Sequence, residues 1–157
     1  MKNRDFYTWL VQCRRTPVIG ILSRHLLKLL GVRIHAAVPI GQNFRLMHGG
    51  LGVVIHRCTK IGANVRIYPG VIVGRADVYL PFGESRFGGF EIGDDVILSS
   101  GAKVLCKNGL LKVGRGTIVG ANAVLLESTG EYEIWAGSPA RCVGYRPRPR
   151  ARNARAG

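Results

Sequence analysis

Aliphatic side chains recur along the chain at intervals of six. They stand at Ile34, Ile40 and Leu46, at Ile55, Ile61, Ile67 and Val73, at Ile92, Leu98 and Val104, and at Val113, Val119 and Leu125. Glycine follows directly at Gly41, Gly62, Gly74, Gly93, Gly114 and Gly120. A small or β-branched residue comes four positions after the aliphatic one: Val38, Thr59, Val65, Val71, Val96, Ala102, Thr117 and Ala123. Six is neither the 3.6 of an amphipathic helix nor a simple alternation, although it is a multiple of two. It predicts short strands closed by tight turns, wound so that every aliphatic side chain points to a common axis. Glycine after it permits a close or positive-φ backbone. The expected fold is an all-β solenoid, a parallel β-helix of hexapeptide repeats in which each coil buries the face of the last. A β-sandwich would give irregular loops instead.

Three breaks interrupt the period. Leu46 to Ile55 contains LMHGGLGVVI, a histidine in a glycine-rich segment; Val73 to Ile92 carries RADVYLPFGESRFGG; Val104 to Val113 carries CKNGLLK. The last two read as loops thrown out of the scaffold, where binding groups concentrate. Counting faces of a triangular coil places the His48 break and the long loop on the same side, one coil apart.

Ahead of the repeats, residues 4–13 and 17–30 read as helices, the second opened by Pro17 at a favourable first-turn position. Val18, Ile19, Leu22, Leu26, Leu29 and Leu30 form an apolar stripe opposite Arg24 and Lys28. Residues 1–31 are expected to be an N-terminal helical cap that covers the open end of the solenoid, residues 32–145. Peripheral contact with a membrane surface is the alternative use of that stripe. Residues 146–157, YRPRPRARNARAG after its tyrosine, carry arginine and proline without apolar pattern and read as a disordered, dispensable tail.

Composition narrows the functional classes. Of 157 residues, 23 are Lys or Arg and 9 Asp or Glu, a net charge of +14 that favours anionic partners. The 46% hydrophobic content argues against wholesale disorder. Cys13, Cys58, Cys106 and Cys142 show neither CxxC nor zinc spacing, which suggests a reduced, cytoplasmic protein, and no metal is expected. No leader pattern or bilayer-length apolar run is visible. Nothing resembles a nucleic-acid recognition helix or an aromatic stacking pattern.

The six-residue repeat together with HGGLGVVI, KIGANVRIYPGVIVG, GAKVL and WAGSPARCVG resembles the hexapeptide-repeat acyltransferases, over about residues 32–145. Within them it looks most like the serine acetyltransferase branch and its relatives that O-acetylate sugars and polysaccharides. The resemblance implies a left-handed parallel β-helix, a homotrimer and acetyl-coenzyme A as donor. It also gives His48 a role. A protonated alcohol attacks a thioester poorly, and a positioned imidazole, with its ordinary pKa near 6.5, contributes ~10²–10⁴-fold as general base. The tetrahedral intermediate then needs hydrogen-bond donors for its oxyanion.

By the same resemblance Gly74 and Ser100, Gly101 and Ala102 lie along the pantetheine arm, and Lys103, Arg115 and Arg141 are candidates for the donor phosphates. His25, His35 and His56 read as structural or solvated. The spacing of His35, His48 and His56 does not match that of zinc-dependent relatives of the fold. Departures concern the acceptor. Gly89 stands where serine enzymes have a second histidine, Arg33 and Met47 where they have carboxylates, and the helical segment is short. Glu84 or Glu91 is expected to replace the carboxylate that orients the base. The loop residues Arg75, Tyr79, Phe82, Glu84 and Phe87 suit a sugar face. These departures point to a sugar hydroxyl as acceptor, with L-serine and a non-catalytic trimeric scaffold as the alternatives.

Overall fold

The computed structural model describes residues 6–14, 16–17, 19–81 and 83–148. Two helices, α1 (Phe6–Cys13) and α2 (Ile19–Leu29), come first. The strands β1 (Arg33–Ile34), β2 (Arg45–Leu46), β3 (Val54–Ile55), β4 (Thr59–Ile61), β5 (Arg66–Ile67), β6 (Ile72–Arg75) and β7 (Phe87–Ile92) follow. Then come β8 (Ile97–Leu98), β9 (Lys103–Cys106), β10 (Gly109–Val113), β11 (Ile118–Val119), β12 (Val124–Leu125), β13 (Glu133–Gly137) and β14 (Ala140–Tyr145). They build three sheets. Sheet I runs β1-β3-β6-β9-β12, sheet II β4-β7-β10, and sheet III β2-β5-β8-β11-β13-β14. Strand pairs are parallel, save for the closing β13–β14 hairpin.

The six-residue period becomes three columns of inward side chains. Ile34, Ile55, Val73, Val104 and Leu125 pair in succession on sheet I. Ile40, Ile61, Ile92 and Val113 do so on sheet II, and Leu46, Ile67, Leu98, Val119 and Trp135 on sheet III. The chain visits the sheets in rotation, and the residues four positions on, from Val38 to Ala123, are buried beside these columns. At the first three II-to-III corners Asn43, Asn64 and Asp95 adopt left-handed backbone, which their short polar side chains tolerate. Asn43 Nδ2 donates to Asn64 Oδ1 at 3.1 Å and Asn64 Nδ2 to Asp95 Oδ1 at 3.0 Å, so the corner is stitched from circuit to circuit.

The breaks differ from the sequence expectation in two ways. GLLK of the third break is not a bulge: it forms β10 and pairs with β7, from Gly109 against Phe87 to Val113 against Ile92. The long loop correspondingly shrinks to residues 76–86, because Arg75 ends β6 and Phe87 begins β7. Its position also changes. The His48 break joins sheet III to sheet I, whereas the long loop joins sheet I to sheet II, so the two leave opposite edges of sheet I.

The helices require a further correction. The buried face of α2 is Gly20, Ser23 and Leu27, and of the apolar stripe only Leu26 and Leu30 pack beside it. Close approach decides this. A Cβ on Gly20 would lie 2.7 Å from the Arg14 carbonyl oxygen, and Ser23 Oγ donates to the Leu10 carbonyl. Ile19, Leu22 and Leu29 are left exposed; Val18 lies outside the described residues. Helix α1 docks on the first circuit through buried Leu10 and Val11. Buried Arg14 donates to the carbonyls of Val11 and Val38. At the other end, Arg146 and Arg148, assigned by sequence to the tail, contact the body. Arg146 Nη1 donates to Asp95 O at 3.2 Å, and the Arg148 guanidinium lies 5.6 Å from the Tyr132 ring centroid. Residues 149–157 lie outside the described ones.

Candidate active site

Leu46 ends β2 on sheet III, and the extra residues of the nine-residue step form a tight turn, Met47–Gly50, before β3. His48 sits in it at φ 50°, ψ 38°, with Gly49 at φ 76°. Asn and Asp account for most of the other non-glycine residues in this region, which is uncommon for any residue but glycine and is tolerated best by Asn, Asp and His. It holds the imidazole exposed at the III-to-I corner, 5.9 Å from the Tyr68 ring centroid. Tyr68 follows Ile67 as Met47 follows Leu46, and the Leu46–Ile67 pairing brings the two turns together. A 21-residue shift of the sequence against itself would have found it.

Helix α1 fastens the turn from outside. The Leu46 N–H donates to buried Thr8 Oγ1 at 3.2 Å, and a Cβ on Gly49 would lie 3.0 Å from the Tyr7 ring. Neither contact has a sequence signal, since the partners are 38 or more positions apart. Below the turn, Gly52, Gly70 and Gly101 succeed one another along the same corner. Their N–H groups are already spent, donating to the carbonyls of Gly31, Leu51 and Pro69 at 3.0, 2.8 and 2.8 Å. They therefore line the edge but supply no oxyanion donor.

Of the donor candidates, Ser100, Gly101 and Ala102 occupy this III-to-I corner and Lys103 opens β9 beside it, its Nζ donating to the Gly101 carbonyl at 2.9 Å. Gly74 lies on sheet I, opposite Leu105, where a Cβ would meet only Ile72 Cγ2, at an ordinary contact distance of 3.8 Å. Arg115 is at another corner, its Nε 3.4 Å from Asp95 Oδ2. Arg141 lies on β14, with Glu127 Oε1 at 3.5 Å.

The loop residues divide. Arg75 and Asp77 form an ion pair at 2.8 Å, both side chains nearly inaccessible, and Arg75 Nη2 also donates to the Asp77 and Leu80 carbonyls. Ser85 Oγ donates to Asp77 Oδ2 at 2.5 Å. Arg75 thus shapes the loop from inside. Tyr79 is exposed, with Lys107 Nζ 5.9 Å from its ring centroid. Glu84 is exposed, and Phe82 lies outside the described residues. Phe87 packs edge-on to His56, centroids 4.9 Å apart, and beside Phe90 at 5.3 Å. Glu91 cannot orient His48. It points outward from sheet II between Lys60 (3.6 Å) and Lys112 (3.4 Å).

Two titrating groups under the loop give a pH dependence. Burial first, then the charges of Arg75 and Arg57, hold the His56 imidazole below its ordinary 6.5. The hydrogen bonds from Arg75 and then Ser85 hold the Asp77 carboxyl below its ordinary 3.8. For both, the unfolded chain takes up the proton first, so stability is lost on acidification. The His56 contribution is full above about pH 6.5 and declines below it; the Asp77 contribution persists until the pH falls beneath about 3.8 and on through its folded value. Thermal melts between pH 7.5 and 3 are expected to show both steps. His56→Phe should remove the upper one and Asp77→Asn the lower; a variant with the unaltered wild-type profile would contradict the assignment.

Among the described residues no group of three His, Cys, Asp or Glu side chains converges as a metal site. No family model matches the chain. Its sequence is 38% identical over 114 residues to serine acetyltransferase of Staphylococcus aureus, covering 72% of this chain and 49% of that one. The Bacillus licheniformis serine acetyltransferase is also 38% identical, over 116 residues. The fold is similar to that of serine acetyltransferase from Brucella abortus in complex with coenzyme A, with TM-score 0.68, 26% identity, and coverage of 90% of this chain and 53% of that one. The soybean serine acetyltransferase apoenzyme gives TM-score 0.70 and 28% identity, covering 88% of this chain and 58% of that one. The chain spans about half the length of the curated relatives it matches. A shared sequence over the repeats and a shared three-sheet fold lead to one conclusion: this chain belongs to the hexapeptide-repeat acyltransferase family, in its serine acetyltransferase-like branch.

Proposed function

We propose that the protein is an acetyl-coenzyme A-dependent O-acetyltransferase with His48 as general base, built as a left-handed parallel β-helix and working as a trimer. The observation that carries the reading is the His48 turn. An exposed imidazole is held in left-handed backbone at an edge that continues to Ser100–Lys103, in a chain related to serine acetyltransferases. His48 removes the acceptor hydroxyl proton as that oxygen attacks the thioester carbonyl. The C–S bond then breaks, and the imidazolium returns the proton to the leaving thiolate. Gly74 and Ser100–Ala102 are the surface along which the donor lies, and Lys103 is the cation beside it.

The trimer rests on the outward faces. Sheet II shows a charged row, Lys60, Glu91 and Lys112, suited to water. Sheet I shows Val54, Ile72, Leu105 and Val124 beside Arg33 and Lys103, and sheet III Ile97, Ile118 and Ile134 in one row with Arg45 and Arg66. Two faces out of three with apolar stretches are what a closed ring of three chains uses, one for each neighbour. A neighbour would also wall the open corner at His48. The loop 76–86, at the far edge of sheet I from its own His48, would then serve a site shared between chains. Light scattering is expected to give about three times the 17.1 kDa chain mass; a monomer at micromolar concentration would exclude the shared site.

For the acceptor, the relatives favour L-serine over the sugar that the sequence departures suggested. One observation sustains the sugar as a second reading. Gly89 has φ 125°, and a Cβ there would lie 2.6 Å from the Cys58 carbonyl oxygen, so the histidine of serine enzymes does not fit at this position. Coenzyme A release with L-serine, and with nucleotide- or lipid-linked sugars, separates the readings. Turnover of serine alone supports the first, turnover of a sugar with serine inert replaces it by the second, and no turnover with any acceptor leaves a non-catalytic scaffold.

A further inference from the structure

We propose that the outer face of α1 and α2 docks the protein on an anionic lipid bilayer. Half of the apolar stripe that sequence assigns to the core is on the surface, while Leu26 and Leu30 pack against the core. Leu22 is 71% exposed and Leu29 85% exposed, with Ile19 beside them on α2. On α1, Trp9 is 44% exposed and its ring stacks on Phe6, centroids 6.3 Å apart. Leu10 meets Ser23 and Arg14 meets Gly20, so the helices run antiparallel. With 100° per residue, both apolar stripes then fall on the same side of the helix–helix contact. Exposed Leu51, packed at Gly31 just past α2, extends the patch toward the body.

Charge selects the occupant. From Phe6 to Ala76 the chain has ten Lys or Arg and no Asp or Glu; eight of its nine acidic residues lie from Asp77 onward. The helix-bearing end, with exposed Arg24 and Lys28 on α2 and Arg33 and Arg45 on the first circuit, is therefore cationic. A second copy applied to this end would set those cations against their like. An anionic headgroup layer complements them, while Trp9, Phe6, Leu22 and Leu29 enter the acyl boundary as an interfacial amphipathic surface does. Neither helix is long and apolar enough to cross a membrane, which leaves a surface-lying mode. The inference does not depend on the acyl-transfer reading.

The test uses the full chain with vesicles of phosphatidylcholine alone and of phosphatidylcholine mixed with phosphatidylglycerol. Cosedimentation with the mixed vesicles only, weakening as salt is added, is expected. L22S/L29S should lower partitioning by about tenfold or more with melting temperature unchanged, because both side chains already face water. R24Q/K28Q should weaken the preference for phosphatidylglycerol. No cosedimentation, or an L22S/L29S chain that binds as wild type does, overturns the proposal. So does an L22S/L29S chain of half the wild-type mass in light scattering, which would show that a second copy covers this face.

Discussion

Replacing His48 by alanine is expected to lower kcat by ~10²–10⁴-fold while the KM for acetyl-coenzyme A stays within about twofold. The split follows from the geometry. The imidazole stands at the first turn of the III-to-I corner, whereas the donor edge belongs to later circuits, at Gly74 and Ser100–Lys103. Alanine alone would leave the result open to another explanation, because alanine, unlike His, Asn or Asp, is disfavoured at φ 50°. His48→Asn keeps a side chain suited to left-handed backbone and removes only the base. It should fold with an unchanged melting temperature and be as slow as the alanine variant. His56→Gln is the control: His56 belongs to the I-to-II corner and packs on Phe87, so it should not lower kcat by more than a few-fold. A His48→Asn enzyme with wild-type turnover would remove the general base from the mechanism.

The columns of the fold were legible because the interior is simple. Each repeat contributes one aliphatic side chain to one sheet, and the parallel register pairs repeat with repeat, so periodicity alone reads out the core. The turn holding His48 was legible for the same reason: an insertion in a strict period marks itself. Placing the long loop beside it failed on a count. Ile55, Ile61, Ile67 and Val73 are four strands, which is one full circuit and one face more, so the loop leaves from the next corner. The orientation of α2 was illegible for another reason. Amphipathicity identifies an apolar stripe but not its partner, and here a glycine and a serine win the contact because they let α2 approach α1 closely. The buried Arg75–Asp77 pair gave no signal either, as both residues look like ordinary surface charges in a loop. The anchoring of the His48 turn by Thr8 and Tyr7 joins segments whose proximity only the folded chain reveals.

Gly62→Ala is expected to destabilise the protein strongly and Gly83→Ala hardly at all, although both add one methyl group to a glycine outside the regular strands. Gly62 follows Ile61 at the II-to-III corner. A Cβ there would lie 2.8 Å from Asp94 N and 2.9 Å from Gly93 C, the backbone of the next circuit, and would press on Asp94 Oδ1. That carboxylate accepts from the Ala63 N–H at 2.8 Å. Moving the circuits apart to admit the methyl group would also lengthen the Gly62 N–H bond to Ile92 O, at 2.8 Å, and the Asp95 N–H bond to Ala63 O, at 2.9 Å. Neighbouring parallel strands are fixed near 4.8 Å, and the columns behind this corner are close-packed, so neither can yield locally. Overpacking of this kind costs about 1–3 kcal/mol, and with ladder bonds strained as well the upper part of that range applies. For a chain of this length about 2–3 kcal/mol lowers Tm by about 4–12 °C. Gly83 has nothing within 4 Å of the added carbon and needs no left-handed backbone. Alanine there should change stability by no more than about 0.5 kcal/mol. Calorimetry of the two variants decides the matter: equal melting temperatures would mean that the glycine corners are not what sets the spacing of the circuits.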